Sequence, residues 1–311
     1  MEQITLKGLS QPASRLCIGG CPAGEYGWGN VSREEIEAAM LHAFELGVNF
    51  FDTADTYGLG RSETTIGEVF HTRRDRVLLA TKFGVRIENG KTFYDNSPAY
   101  IEKALAQSLK RMQTSWIDLY QIHYLDGQTP VPEMMEALIR HKRKGDICAI
   151  GLSNLSAQDA EAFVPYADEI ASFQGHFSLA HRDGEKAMNR ITSKLNISPL
   201  TWGSLGQGIL TGKYGADVHF EANDRRSRTI YDNFYGDKLA HNLRIVEAMR
   251  PIAQAHHVPV SAIAVRWILD QLPQSVVITG VKTPAQAQGN TAALGFHLSA
   301  EELSTLNEVS L

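Results

Sequence analysis

A carboxylate, a phenol, an ammonium and an imidazole stand at the ends of short apolar runs in this sequence. Asp52 closes the run Val48–Asp52, and Tyr57 follows it in the turn Asp52-Thr53-Ala54-Asp55-Thr56-Tyr57-Gly58. Lys82 follows Val77–Thr81, and His123 follows Ile117–Ile122. Tyrosine, with an ordinary pKa of about 10, is a poor acid at neutral pH. The expectation is that the Lys82 ammonium favours the phenolate and lowers that value, with Asp52 paired to Lys82. His123 then orients a carbonyl oxygen, and Tyr57 protonates it as negative charge develops there. That is the chemistry of carbonyl reduction, and it needs a source of hydride. Each residue alone has an ordinary structural explanation: a cap, a satisfied strand-end side chain, a packed ring. Four of them on one rim favour the chemical reading.

The hydride source expected at this rim is a nicotinamide. Ser153 and Asn154 follow Ile147–Gly151, and Gln174 ends Ile170–Gln174; their hydroxyl and amide groups suit a carboxamide. Trp202 ends Ile197–Trp202 and offers an aromatic face. Gly203-Ser204-Leu205-Gly206-Gln207-Gly208 comes next, with glycines that let backbone N–H groups approach a pyrophosphate. After Val276–Thr279 come Gly280, Lys282 and Thr283, then Gln286 and Asn290 on the following helix. Gly20 and Lys213 complete the candidate cofactor set. Pocket walls are expected from Cys21, Tyr26 and Trp28, from Phe83, and from the segments Val85–Asn96 and Tyr214–Asp237. Arg225 and Arg226 are expected either to meet a phosphate or carboxylate or to lie in a solvated loop.

The elements that must position these groups follow from periodicity. With Arg15–Gly19, the runs above give eight strand candidates, mostly continuous apolar stretches of the kind covered on both faces. Helix punctuation lies between them. Ser32 with Glu35, Ser156 with Asp159 and Ser299 with Glu302 are cap pairs, and Ser97-Pro98 and Pro132 open helices. Gly145 follows the basic stretch Arg140–Lys144. Strands alternating with helices predict an α/β fold, a (β/α)8 TIM barrel, in one domain spanning 1–311. An open doubly wound sheet is the alternative, weakened by the absence of G-x-G-x-x-G after any strand. In the barrel the strand ends share one rim, and phosphate sites commonly use the loops after strands seven and eight. Ile4–Pro12 is expected as a hairpin plugging the barrel bottom. The long insertions after strands three and seven are expected as loops, and Pro251 is expected to kink or restart its helix.

Composition narrows the class. The 311 residues are 43% hydrophobic, with 30 Lys plus Arg against 35 Asp plus Glu and a net charge of −5. Mild acidity argues against nucleic acid or an anionic membrane surface as the main partner, leaving a small molecule. No apolar run reaches about 18 residues and no basic-then-apolar leader opens the chain, so the expectation is a soluble, cytoplasmic protein. Cys17, Cys21 and Cys148 are too few for a disulfide framework. No metal is expected, because no second pair at finger spacing accompanies Cys17 and Cys21. His141, His181, His256 and His257 fall in helices or loops, which disfavours a metal-dependent barrel hydrolase. The oligomeric state is not legible.

The sequence resembles the aldo-keto reductase family over nearly its whole length. Gly47-Val48-Asn49-Phe50-Phe51-Asp52 through Tyr57-Gly58 looks like the family's second-strand motif. Asp118-Leu119-Tyr120-Gln121-Ile122-His123 and Ile150-Gly151-Leu152-Ser153-Asn154 look like those of strands four and five. Gly206-Gln207-Gly208-Ile209-Leu210-Thr211-Gly212-Lys213-Tyr214 looks like the seventh-strand loop. The resemblance implies NADP(H) bound without a Rossmann motif, with NAD as the other cofactor, and a catalytic tetrad of Asp52, Tyr57, Lys82 and His123. It is strongest to the bacterial inositol-operon and general-stress reductases, and more distant to potassium-channel β subunits. The latter motivates an alternative: an NADP-binding regulatory or interaction protein with little turnover. Trp202 stands where many members have Tyr, Gln286 where several have Arg, and Gly289 where several have Glu. Recognition of a 2′-phosphate is therefore expected to rest on Lys282. His176 and Phe177 replace a different polar and aromatic pair.

Overall fold

The computed structural model describes residues 1–311. Eight strands close into a parallel barrel in chain order: β1 (Leu16–Gly19), β2 (Phe50–Asp52), β3 (Leu78–Phe83), β4 (Ile117–Ile122), β5 (Ile147–Ser153), β6 (Ile170–His176), β7 (Ser198–Trp202) and β8 (Val276–Gly280). The outer ring is α1 (Arg33–Glu45), α2 (Arg61–Phe70), α3 (Pro98–Arg111), α4 (Val131–Lys144), α5 (Glu185–Leu195), α6 (Gly236–Ala255), α7 (Val260–Gln271) and α8 (Pro284–Thr291), and α9 (Ala300–Val309) ends the chain. The eight strand runs and the (β/α)8 class are as the sequence predicts. The expected caps form at Ser32 and Ser97, and Ser299 makes the full reciprocal box with Glu302. Ser156 and Asp159 also cap each other as expected, but the segment they open, Asp159–Glu169, is 3-10 rather than α-helical, with Pro165 inside it.

Side-chain alternation divides the strands into two layers. Cys17, Phe50, Leu78, Ala80, Leu119, Ala149, Leu200, Val276 and Ile278 fill the barrel interior. Leu16, Ile18, Phe51, Leu79, Tyr120, Ile150 and Leu152 pack outward among the helices. From below, Gln3–Ile4 pairs with Ala13–Ser14, and Leu6 and Ala13 join the interior cluster, so the expected plug is present. Arg15 locks it, donating to Glu2 and to the carbonyls of Leu269, Leu272 and Ser275. The apolar floor leaves the upper layer for polar groups.

Two local expectations are corrected. The segment after β3 is a hairpin rather than a loop: Val85–Glu88 pairs with Lys91–Tyr94 around Asn89-Gly90. Both turn residues have positive φ (50° and 73°), the conformation that Asn-Gly favours in two-residue hairpin turns. Helix α6 also runs through Pro251 and stops only at Ala255. Proline removes one backbone bond there, while Met249, Ile252 and Ala253 stay anchored in the core.

Candidate active site

The four sequence-predicted groups converge at the C-terminal rim. In β2 and β3, Asp52 and Lys82 share the inward parity of Phe50 and Ala80. Lys82 Nζ donates to Asp52 Oδ2 at 2.6 Å and to the Thr53 carbonyl at 2.7 Å. Asp52 Oδ1 accepts from Gln121 Nε2 at 2.9 Å and Gln174 Nε2 at 3.0 Å, and Gln174 Nε2 also reaches Gln121 Oε1. This buried network holds the ion pair beneath the rim. Gln121 was not singled out by its sequence. The available signal was its parity, since it shares a face with His123 two residues on and is the register partner of Lys82.

Above the pair sits Tyr57. Its ring centroid is 5.2 Å from Lys82 Nζ and 6.2 Å from the His123 ring, which it meets edge-on at 82°. Gly58, at φ +61°, sets the turn against the loop after β1; a Cβ there would lie 2.1 Å from the Gly24 carbonyl. The expected lowering of the Tyr57 pKa does not occur. Burial, with Cys21, Asp52 and Tyr124 nearby, pushes the phenol well above its usual value. Burial outweighs the attraction of the Asp52-paired Lys82 ammonium, so the phenol stays protonated. His123 is pulled down to about 3, first by burial and then by Lys82, so its imidazole is neutral. Its Nδ1 is buried without a partner.

Between Asp52 and Tyr57, Asp55 is a second carboxyl in this turn. Burial, then the Glu63 carboxylate, raises its pKa well above the ordinary value, and its Oδ1 has no partner. A carboxyl whose folded pKa is raised binds more protons folded than unfolded. Stability is therefore lost as pH rises from its unfolded value, about 4, through the folded one. Asp55→Asn is expected to raise the melting temperature at pH 7.5 by about 1–3 °C, with the gain vanishing below about pH 4. Thermal melts across pH check this, and an equal gain at acid pH would exclude the carboxyl as the cause.

The candidate cofactor residues gather around the same rim, with several doing structural work. Gln174 points to Asp52 rather than outward. Ser153 Oγ donates to the Gln174 carbonyl at 3.1 Å. Asn154 bridges two elements, donating to the His123 carbonyl and accepting from Trp202 Nε1, both at 3.1 Å. Gly20 is a packing position: its N–H donates to the Asp52 carbonyl, and a Cβ would come within 2.6 Å of Ser62 Oγ. Gly203, Gly206 and Gly208 have positive φ, and Ser204 turns its hydroxyl inward onto Thr201. Leu205 packs on the core, while Gln207 accepts from Asn233 and Arg226. Lys213 Nζ lies 4.8 Å from the Tyr214 ring. Thr283 caps α8, Gln286 Oε1 accepts the Lys282 N–H, and Asn290 is buried. Lys282 Nζ donates to the Trp28 carbonyl, and burial pulls its pKa down to about 8.

Neither arginine of the seventh-strand insertion is free for a ligand or freely solvated. Arg226 is buried and forks onto Asp224 at 2.9 and 2.6 Å. Arg225 donates to the carbonyls of Gly27 and Tyr26. The Arg225 contacts strap the insertion to the loop after β1. Of the four named pocket residues, Tyr26 is exposed, and half-buried Trp28 donates its indole N–H to Cys21 Sγ. Phe83 is not a wall. Since Lys82 faces inward, Phe83 must face outward, where it is buried against Tyr120. Tyr124 and Tyr94 of the hairpin stand in its place: Tyr124 stacks on His123 at 5.0 Å, and Tyr94 meets Tyr124 at 5.6 Å, tilted by 53°.

A nicotinamide nucleotide fits this arrangement. Beyond Trp202, strands β8 and β1 end in Gly280 and Gly19, paired in register, with Pro22 and Ile278 packed against them. Lys213 and Lys282 supply cations from the two loops that follow β7 and β8. No helix is long and apolar enough to cross a membrane.

Comparison with known proteins agrees. The model of the Aldo/keto reductase family matches residues 15–311. The aldo-keto reductase yakc of Schizosaccharomyces pombe, whose name specifies NADP(+), is 34% identical over 93% of this chain and 86% of its own. The NADH-specific methylglyoxal reductase of Escherichia coli is 26% identical over 100% and 98%. Among solved structures, the glycerol dehydrogenase AKR11B4 from Gluconobacter oxydans superposes with a TM-score of 0.90 at 31% identity, covering 99% of this chain and 94% of that one.

Proposed function

Since the chain belongs to the aldo/keto reductase family, an oxidoreductase family that uses nicotinamide cofactors, we propose that it is a single-domain NADP(H)-dependent reductase of an aldehyde, ketone or sugar carbonyl. The observation that carries this reading is the buried Asp52–Lys82 pair beneath a protonated Tyr57 and beside the neutral His123. A bound nicotinamide supplies the hydride that the carbonyl carbon receives. His123 orients the carbonyl oxygen by hydrogen bond, and Tyr57 delivers its proton to that oxygen. Lys82 then stands close enough to stabilise the phenolate left behind, and Asp52 keeps Lys82 charged and in place. Gln121 and Gln174 fix Asp52. The quoted motifs support a neighbourhood among the bacterial inositol-operon and general-stress reductases.

The test is a titration with NADPH and with NADH, followed by tryptophan quenching, and then addition of an aromatic aldehyde. Tight NADPH binding with oxidation supports the reductase. Tight binding without oxidation of any carbonyl offered favours the regulatory reading, and no binding of either nucleotide defeats both.

Preference for NADPH is expected to rest on Lys282. Lys282→Ala should weaken NADPH much more than NADH. In the unmodified protein the NADPH advantage should also fall as pH rises through about 8, where Lys282 loses its proton. Binding titrations between pH 7 and 9 check both; equal losses for the two nucleotides would place the 2′-phosphate elsewhere.

A further inference from the structure

The face of Trp202 is backed by two histidines. His176 and Trp202 are direct register partners on β6 and β7, so their side chains leave the sheet on the same side. Their rings lie 4.1 Å apart with an interplanar angle of 11°. His181 covers the other face of His176 at 3.8 Å, again at 11°. The result is a parallel column of His181, His176 and Trp202. Aromatic pairs ordinarily settle at about 4.5–7 Å, often offset or edge-on, so this column is unusually close and flat.

Its surroundings hold it in that form. Gly203, at φ +67°, leaves the space that the His176 ring occupies; a Cβ there would lie 2.5 Å from His176 Cδ2. The backbone of His181 is fixed by reciprocal bonds with Ser178. Trp202 is held at its edge by Asn154 Oδ1. His176 Nε2 is buried with no partner, so the ring is held by stacking rather than by a hydrogen bond at that atom. Burial, then His181 and Lys238, pulls His176 down to about 3. His181 is lowered by burial and by Lys238, against Asp183 and Asp232. Both rings are therefore neutral at physiological pH, and the column places no cation behind the indole.

We propose that His176, supported by His181, is a positioning residue that fixes the plane of Trp202 and so sets the affinity of the site for the nicotinamide ring. The proposal rests on the reductase reading given above. It assigns His176 no contact with the nucleotide; the residue acts through Trp202. Strand β8 lies on the other side of Trp202, so the two histidines are the aromatic support of the indole on the β6 side.

The experiment is a double-mutant cycle on the full chain, with two readouts. In NADPH titrations, His176→Ala should weaken binding about 3–10-fold, the range of one aromatic pair. In a Trp202→Ala background the same change should cost less than about 2-fold, because the residue it acts through is gone. His181→Ala should show a smaller loss of the same kind, and it serves as the second probe if His176→Ala melts early. Without nucleotide, His176→Ala should alter tryptophan emission as one indole face is uncovered, and this difference should vanish in the Trp202→Ala background. Equal affinity losses with and without Trp202, or unchanged affinity in both histidine variants, would overturn the proposal. If the unmodified protein binds neither nucleotide yet shows the emission difference, the column stands and the reductase reading, with the cofactor role built on it, is overturned.

Discussion

Tyr57→Phe is expected to lower the rate of carbonyl reduction roughly a thousandfold while leaving NADPH affinity within about 2-fold. A positioned general acid typically contributes between about 10² and 10⁴ in rate, and no other hydroxyl in the described geometry stands over Lys82 and beside His123. The substitution removes one oxygen and keeps the ring that packs edge-on against His123. The pH profile adds a second check. A phenol whose pKa is raised by burial stays protonated, so the reductive rate should show no loss from Tyr57 ionisation between pH 6 and about 10. A phenol acidified by Lys82 would instead lose rate as pH rises above neutral. Measuring kcat for the unmodified enzyme across that range separates the two cases. Rapid turnover by Tyr57→Phe would remove Tyr57 as the proton donor.

The second large effect concerns the pair beneath it. Lys82 and Asp52 are almost wholly buried, with side-chain exposures of 1% and 4%. Lys82→Met leaves a carboxylate in the barrel with two amide donors but no counter-charge. Removing one partner of such a pair costs about 3–5 kcal/mol of stability. Asp52→Asn together with Lys82→Met removes both charges, and much of the stability should return. Activity should not return, because the cation that stabilises the phenolate is still missing. Chemical denaturation and single-turnover rates on the three variants test this. A double variant that regains activity would show that the pair is architectural only.

The strands were legible because a barrel strand is buried on both faces and reads as an unbroken apolar run. The catalytic candidates were legible for a related reason: polar groups that end successive runs of this kind share one rim of the barrel. The errors share a cause. Periodicity locates a residue along a strand but leaves its face open until one neighbour's direction is known. Lys82 facing inward sends Phe83 outward and makes Gln121 a neighbour of Asp52. The hairpin after β3 was hidden by its polar composition, although Asn89-Gly90 was its signature. Arg225 was unreadable because its partners, Gly27 and Tyr26, are brought to it only on folding, whereas Asp224, two residues before Arg226, was a local signal that went unread. The acidity of Tyr57 depends on how far burial outweighs the Asp52-paired Lys82 ammonium, which no spacing reveals.

The hairpin also bears on how such an enzyme can change. Its base is pinched shut by the Asp95 N–H on the Gly84 carbonyl at 3.0 Å, and its ladder bonds are internal to it. The polypeptide thus leaves the barrel and rejoins it at nearly one point, carrying Tyr94 to the pocket mouth on the way. It is a detachable cassette: strands can lengthen, shorten or be exchanged there without altering the register of β3 against β4. In the reductase proposed above, substrate range would in this way be uncoupled from the floor of the site, and a lineage could explore new carbonyl compounds through this excursion while Asp52, Lys82 and Tyr57 stay untouched.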